Sequence, residues 1–226
     1  MLLNLLAINI QLGLIVIVTL VFSLCFHEFA HAYIAYRLGD YTAAHQGRLT
    51  LNPLAHLDPM GSMMLLVACF GYAKPVPVNP INLNNPRTDM MKIAFAGPVS
   101  NFILAFVGIL LMLYFGSELN SEYSEKLYRS GYSKPFNQLG VGLWVFTTIN
   151  ITLGIFNLIP LYPLDGGQIF GGFLDKVNPQ LSYNLRANGP KILLGIILVS
   201  MFTPFNIIDI IISPFHDLVA IIIGIY

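Results

Sequence analysis

Charged residues are scarce in this 226-residue chain: Asp, Glu, Lys and Arg make up only 10% of it, against about 25% in an ordinary soluble protein. This is too little charge to cover a surface that faces water, whereas a surface that faces hydrocarbon needs almost none. Eleven basic and eleven acidic residues also leave no net charge, so we expect no nucleic-acid partner. Because 56% of the residues are apolar, the composition predicts an integral membrane protein surrounded by a lipid bilayer.

Cysteine is also rare. Cys25 and Cys69 lie in apolar stretches without CxxC or Cys/His spacing, which argues against a disulfide framework and against a cysteine-based structural zinc site. We therefore expect both to be packing residues. The N-terminus lacks the basic region and cleavage site of a signal peptide, so we expect its apolar run to be retained as a first membrane helix.

Long apolar runs are what the chain does contain. A helix needs about 20 apolar residues to span a bilayer. We predict helices at about 12–37, 90–115, 139–160 and 191–203, followed by a broken helical segment at 204–226. The fold class predicted is an all-α polytopic membrane protein, with one membrane-embedded domain over residues 1–226.

The stretch from residue 60 to residue 80 differs from these runs. Its apolar part ends near residue 73 and has about 14 residues, which is short for a span. Its second part is rich in proline, which removes backbone donors and disfavours helix. We predict a short re-entrant and extended, β-like segment over about 60–80.

The end of the first predicted helix carries His27, Glu28 and His31 in an HExxH pattern. Residues four apart share a helix face, so both imidazoles can reach one metal ion while Glu28 reaches a water molecule beside it. These residues lie roughly 15 Å before the polar end of the helix at Arg37, at 1.5 Å per residue. Ionisable groups at such depth are costly and usually mark a functional site. A zinc ion would account for all three.

A third ligand is expected elsewhere, because catalytic zinc usually has three protein ligands and a water. Asp165 follows the third predicted helix, where Pro160 and Pro163 break the helix and Gly166 and Gly167 permit close backbone approach. We expect its carboxylate to sit on irregular backbone at the membrane boundary. Taken alone, Asp165 is equally compatible with an ordinary Asp-Gly turn at a helix end.

Three motifs together resemble the site-2 protease family of intramembrane zinc metalloproteases. They are HEFAH at 27–31, AGPVSN at 96–101 and FNLIPLYPLDGG at 156–167. The resemblance covers about residues 20–174 and concerns the short form of the family, without PDZ or CBS domains.

The resemblance implies a set of roles for particular residues. His27, His31 and Asp165 would bind one Zn²⁺ per chain, and Glu28 would be the general base. Asn157 would position the substrate or stabilise the reacting carbonyl. The segment around Gly71 and Tyr72 would receive unwound substrate. The complete set of predicted site residues is therefore His27, Glu28, His31, Gly71, Tyr72, Asn157 and Asp165.

The function implied is that of an intramembrane zinc metalloendopeptidase. It would hydrolyse a peptide bond in or near the transmembrane segment of a membrane protein, as in regulated intramembrane proteolysis. A metal-ion or proton transporter that uses the same His/Glu/Asp cluster is the alternative, although no internal repeat of the kind common in transporters is visible. A catalytically inactive member retained for binding is disfavoured because every motif position is intact.

The basic residues favour one orientation in the membrane. If residues 60–73 re-enter without crossing, the ends of the first and third helices face the same side, as a joint metal site requires. Eight basic residues then share that side and three lie opposite: Arg37, Arg48, Lys74, Arg87, Lys92, Lys176, Arg186 and Lys191 against Lys126, Arg129 and Lys134. The positive-inside rule places the N-terminus outside and the active site toward the cytoplasm of a prokaryotic cell. The sequence specifies neither the substrate nor the oligomeric state.

Three further polar residues have two interpretations each. His56 either approaches the active site or bonds a loop carbonyl. Ser100 and Asn101 either line the zinc cavity or form hydrogen bonds between helices, which is the commoner role for such residues in membranes.

Overall fold

A computed structural model describes residues 2–68, 73–115, 138–203 and 206–224. The helices are α1 (Leu2–Ile8), α2 (Ile10–Arg37), α3 (Thr42–His45), α4 (Pro53–His56), α5 (Pro59–Ala68), α6 (Pro86–Tyr114), α7 (Gln138–Leu158), α8 (Asp165–Val177), α9 (Pro179–Phe202) and α10 (Ile207–Ile222). No strand occurs within these ranges, so the predicted all-α fold class is confirmed. Gly71, Tyr72, Lys126, Arg129 and Lys134 lie outside the described residues.

Three of the described helices, α2, α6 and α7, are long and apolar enough to cross a membrane. They correspond to the first three predicted spans. Helix α6 begins at Pro86, before the predicted residue 90, because the Asp89 side chain accepts a hydrogen bond from the Asn85 N–H and closes the first turn. Helix α7 ends at Leu158, shortly before Pro160.

The N-terminal apolar run forms two helices, which corrects the expectation of one. Asn9 interrupts it, and the Asn9 side chain caps α2 by accepting a hydrogen bond from the Leu12 N–H at 3.0 Å. Helix α1 folds back on α2 so closely that a Cβ on Gly13 would lie 2.5 Å from a methyl carbon of Leu6.

The two residues that flank the apolar part of the predicted re-entrant segment lie next to each other. Its helix α5 has 10 residues and is therefore about 15 Å long, half the thickness of a bilayer core. Leu57 and Ala73, on either side of it, form an isolated antiparallel bridge, and the Lys74 N–H donates to the His56 carbonyl at 2.8 Å. The described apolar residues Pro59–Ala68 are thus helical, and residues 74–79 have no regular secondary structure.

The C-terminal part differs from the prediction in three places. Helix α8 was not predicted at all. Helix α9 begins at Pro179 rather than 191, because the Asn178 side chain caps it by accepting from the Leu181 N–H, and Pro190 lies inside it. Residues 207–222 form one helix that contains Pro214, in place of a broken segment.

Helix α6 is the central element, and it packs against α2, α7 and α8. The largest apolar cluster joins α6, α7 and α10 through buried side chains: Ala105, Met112, Ile151, Ile155, Ile212 and Val219. Helix α6 therefore lies in the core and also contacts α2 and α8, the two helices that bear the predicted metal ligands.

Asp40, just beyond α2, ties the α2 end to residues 79–82. Its buried carboxylate accepts hydrogen bonds from the Thr42 N–H and hydroxyl, the Asn79 N–H and the Asn82 amide at 2.5–3.1 Å. Burial alone raises the pKa of Asp40, but these hydrogen bonds outweigh it and hold the pKa below its ordinary value.

We expect Asp40→Asn to lower stability at neutral pH by about 1–3 kcal/mol, because an amide cannot accept all of these bonds. A lowered pKa in the folded state means that the contribution of Asp40 is complete above about pH 3.9, its ordinary pKa, and is lost as the pH falls through the folded-state value. Thermal unfolding of the wild type and of Asp40→Asn in detergent, from neutral pH to below the pKa of Asp40, tests this prediction. A difference that persists unchanged at the lowest pH would contradict the assignment.

Candidate metal centre

The structure brings His27, His31 and Asp165 together. Both histidines lie one turn apart on α2, and Asp165 is the first residue of α8. The Nε2 atoms of the histidines are 3.0 Å apart. Asp165 Oδ2 lies 3.1 Å from His27 Nε2, and Asp165 Oδ1 lies 3.4 Å from His31 Nε2. All three side chains are buried or mostly buried, so the group is enclosed by the helices.

Asp165 is placed by the chain that precedes it. The expectation of irregular backbone at Asp165 itself was wrong: the irregular part is 159–164, and Asp165 begins a helix. That helix starts directly against residues 158–162, where a Cβ on Gly166 would collide with the Leu158 and Ile159 carbonyls. A Cβ on Gly167 would lie 2.5 Å from the Tyr162 backbone nitrogen. The two glycines therefore allow the contact that points Asp165 toward α2.

The outer nitrogens of both imidazoles face acceptors on α6. His27 Nδ1 lies 2.6 Å from the Asn101 side-chain oxygen, and His31 Nδ1 lies 2.7 Å from the Ile93 carbonyl oxygen. A carbonyl oxygen can only accept, so each Nδ1 carries the proton and donates it. Each Nε2 is then left with a lone pair directed at Asp165.

The cluster fits a metal ion. Two Nε2 lone pairs and a carboxylate converge, and Asp165 Oδ2 is buried without a hydrogen bond to any described residue. A single proton could form a hydrogen bond between only two of these groups. A metal cation can interact with both Nε2 atoms and with the Asp165 carboxylate at once. Ligand atoms at 2.0–2.2 Å from tetrahedral zinc lie about 3.3–3.6 Å apart. The observed separations of 3.0–3.4 Å are close to this spacing.

Glu28 follows His27 on α2 and is half-buried. Its Oε2 accepts a hydrogen bond from the Val76 N–H at 3.2 Å, which brings the segment 74–79 to the edge of the site. Glu28 is therefore placed beside the metal-facing atoms without being one of them.

Gly97 on α6 forms a wall of the site against the two imidazoles. A Cβ at this position would lie 2.5 Å from both Cε1 and Nε2 of His27 and would also collide with His31 Nε2. Only glycine lets α6 approach the two imidazoles this closely.

We expect Gly97→Ala to weaken zinc binding by roughly 10- to 100-fold, the usual cost when ligand positioning is disturbed. The added methyl group would push both rings away from their metal-facing geometry. Equilibrium competition with a zinc-chelating dye measures the change. Gly142→Ala on α7 is the matched control, because a Cβ there meets nothing within 4 Å. Equal zinc affinity in the two variants would show that Gly97 has no such role.

The remaining predicted residues have different outcomes in the structure. Asn157 lies in the last turn of α7, and its amide donates to the Leu153 carbonyl at 2.9 Å, so its proposed role in catalysis stays a prediction. Gly71 and Tyr72 lie outside the described residues. His56 Nε2 pairs with the Thr50 carbonyl at 2.8 Å, which is the loop-carbonyl alternative.

Sequence reasoning missed several residues around the metal-facing atoms. Asn101 was weighed as a cavity or helix-bridging residue, and the structure shows it bridging helices, since it contacts His27 on α2 and Asn150 on α7. Ser23, one turn before His27, joins the same contacts through Asn150. No local pattern singled out Asn150 or Ser23. Gly97 was also missed, and the signal that could have found it is the small residue in AGPVSN, since small residues let membrane helices approach closely.

Comparison with known proteins agrees with this site. The model of peptidase family M50 matches residues 15–202, which contain every residue of the cluster. The chain belongs to peptidase family M50. This confirms the predicted resemblance to site-2 proteases and the prediction of a metalloprotease at the level of the family.

Curated relatives of this M50 chain carry metalloprotease names. It is 46% identical over 156 residues to "Putative zinc metalloprotease YwhC" of Bacillus subtilis, covering 68% of this chain and 66% of that protein. It is 29% identical over 197 residues to "Putative zinc metalloprotease Rip2" of Mycolicibacterium smegmatis, covering 84% and 68%. It is 27% identical over 202 residues to "Zinc metalloprotease MJ0392" of Methanocaldococcus jannaschii, covering 89% and 47%. The chain thus spans about half to two thirds of these relatives. No solved structure matches it significantly.

Proposed function

We propose that this M50 chain is a zinc-dependent endopeptidase that cleaves a peptide bond in or near the transmembrane segment of a membrane protein. The observation that carries the proposal is that the Nε2 atoms of His27 and His31, on the apolar helix α2 beside Glu28, converge with the Asp165 carboxylate, whose buried Oδ2 has no hydrogen bond to a described residue. His27, His31 and Asp165 would hold one zinc ion, and the metalloprotease names of the relatives support zinc as the metal.

Glu28 is the general base in this proposal. Zinc, when bound, supplies Lewis-acid polarisation of a carbonyl and activates water for attack. Glu28 accepts the proton of the attacking water and passes it to the leaving amide nitrogen. The Val76 N–H fixes one carboxylate oxygen of Glu28, so the side chain is held in place before substrate arrives.

The segment 74–79, which the sequence predicts to be extended, is the proposed binding place for substrate. A transmembrane helix hides its peptide bonds in its own hydrogen bonds, so it must unwind before cleavage. An unwound strand can pair with another extended strand, although Pro75 and Pro77 offer no N–H for this. The buried Arg48 guanidinium donates to the Lys74 and Pro75 carbonyls and so anchors this segment next to Glu28.

The proposed orientation places the N-terminus outside and the site toward the cytoplasm of a prokaryotic cell. The paired flanks Leu57 and Ala73 support re-entry without crossing, which puts the ends of α2 and α7 on one side. The bacterial and archaeal relatives support the choice of organism class. The proposed partners are the bilayer and a transmembrane protein substrate.

Metal removal tests the proposed function. The full chain is reconstituted in lipid vesicles with a transmembrane peptide, and cleavage is followed by gel and mass spectrometry. We expect a zinc chelator to abolish cleavage and one equivalent of added zinc to restore it. Cleavage that continues after the zinc content has fallen to zero would refute the proposal. Zinc uptake into the vesicles without any cleavage would favour the transporter instead.

A further inference from the structure

A buried polar chain connects three membrane helices to the back of His27. Ser23 on α2, Asn101 on α6 and Asn150 on α7 each have no exposed surface. The Asn150 amide donates to the Phe146 carbonyl at 2.8 Å and to the Ser23 hydroxyl at 2.9 Å. The Asn101 amide donates to the Asn150 side-chain oxygen at 3.0 Å.

The direction of this chain is fixed at its far end. The Phe146 carbonyl only accepts, so Asn150 must turn its amide nitrogen toward α7 and its oxygen toward Asn101. Asn101 must then turn its nitrogen toward Asn150, where the Ser23 carbonyl at 3.4 Å also accepts from it. The Asn101 oxygen is left facing His27 Nδ1. A flipped Asn101 amide would set its oxygen against the Asn150 side-chain oxygen and the Ser23 carbonyl oxygen.

We propose that Asn101 and Asn150 are positioning residues that hold His27 in its metal-binding tautomer. Asn101 acts directly on the ring, and Asn150 acts through Asn101. Fully buried polar side chains among apolar helices are costly unless each of their donors and acceptors has a hydrogen-bond partner. Here the series of hydrogen bonds ends at His27, a predicted metal ligand. The inference rests on the proposed zinc site and extends it to a residue two hydrogen bonds away.

The test measures zinc affinity of the full chain in detergent by competition with a chelating dye, independently of cleavage. We expect Asn101→Leu to weaken zinc binding by roughly 10- to 100-fold, the usual effect of losing an outer partner of a ligand. Asn150→Leu should weaken it as well, although less. Asn101→Asp should bind zinc more tightly than Asn101→Leu, because one carboxylate oxygen still accepts from Nδ1, although the other then faces the Asn150 and Ser23 oxygens.

Thr147→Val is the matched control. Thr147 is equally buried on α7, but within the described part of the chain its hydroxyl donates only to its own helix, at the Leu143 carbonyl. We expect its zinc affinity to equal that of the wild type. The absorption spectrum of the cobalt-substituted protein should change in Asn101→Leu and stay unchanged in Thr147→Val.

Two results would overturn the inference. One is wild-type zinc affinity in folded Asn101→Leu and Asn150→Leu. The other is an Asn101→Asp protein that binds zinc as weakly as Asn101→Leu, which would indicate a structural role alone. If Asn101→Leu does not fold, Asn150→Leu and Asn101→Asp decide the matter. A wild-type chain that binds no zinc would instead contradict the proposed function itself.

Discussion

Replacing Glu28 with glutamine is expected to leave zinc bound and to reduce cleavage of a membrane peptide by at least about 100-fold, the lower end of what a general base contributes. Glutamine keeps the shape of the side chain and can still accept from the Val76 N–H, but it cannot take a proton from water. The turnover rate of the reconstituted protein should fall with little change in substrate affinity, and zinc content is measured on the same samples.

The zinc content separates a chemical defect from a structural one. A Glu28→Gln protein that has lost both zinc and activity would place Glu28 among the groups that hold the metal. A protein that cleaves at the wild-type rate would remove Glu28 from the mechanism, whatever its zinc content.

Replacing Asp165 with alanine is expected to weaken zinc binding by more than about 100-fold and to abolish cleavage. Loss of an outer partner costs about 10- to 100-fold in affinity, and a direct ligand that carries the negative charge should cost more. The two histidines alone would leave the ion with two protein ligands instead of the usual three. Zinc titration of the metal-free protein measures the effect.

Asp175→Ala is the matched control for Asp165→Ala. Asp175 lies on the same helix α8 and pairs with Arg186 at 2.7 Å near the surface, where such a pair contributes at most about 1 kcal/mol. Its zinc affinity should match the wild type. If Asp165→Ala also binds zinc like the wild type, the carboxylate is not a ligand.

The pairing of His27 with His31 could be predicted because the period of a helix alone puts them on one face. Asp165 was predicted from the resemblance and from the prolines that end the preceding helix. Its helix was missed, because three of the four residues after Leu164 are Asp165, Gly166 and Gly167, which favour turns in isolation. Packing against residues 158–162 overrides that local preference.

Other parts of the fold depended on contacts that a single sequence does not display. The partners of Asn101 follow from which helices meet at α6, so the cavity and the helix-bridging interpretations stood side by side. The start of α9, by contrast, was visible: Asn178 followed by Pro179 is an N-cap followed by a first-turn proline. The prediction nevertheless began this helix at residue 191, one residue after Pro190, which lies within the helix.

The position of the cut tests the central claim most directly. A transmembrane peptide is incubated with the zinc-loaded chain in lipid vesicles, and the product ends are mapped by mass spectrometry. We expect a new pair of ends within or next to the hydrophobic segment, present with the wild type and absent with Glu28→Gln. Cuts confined to the water-exposed flanks of the peptide, or identical products from both proteins, would contradict an intramembrane protease built on this metal centre.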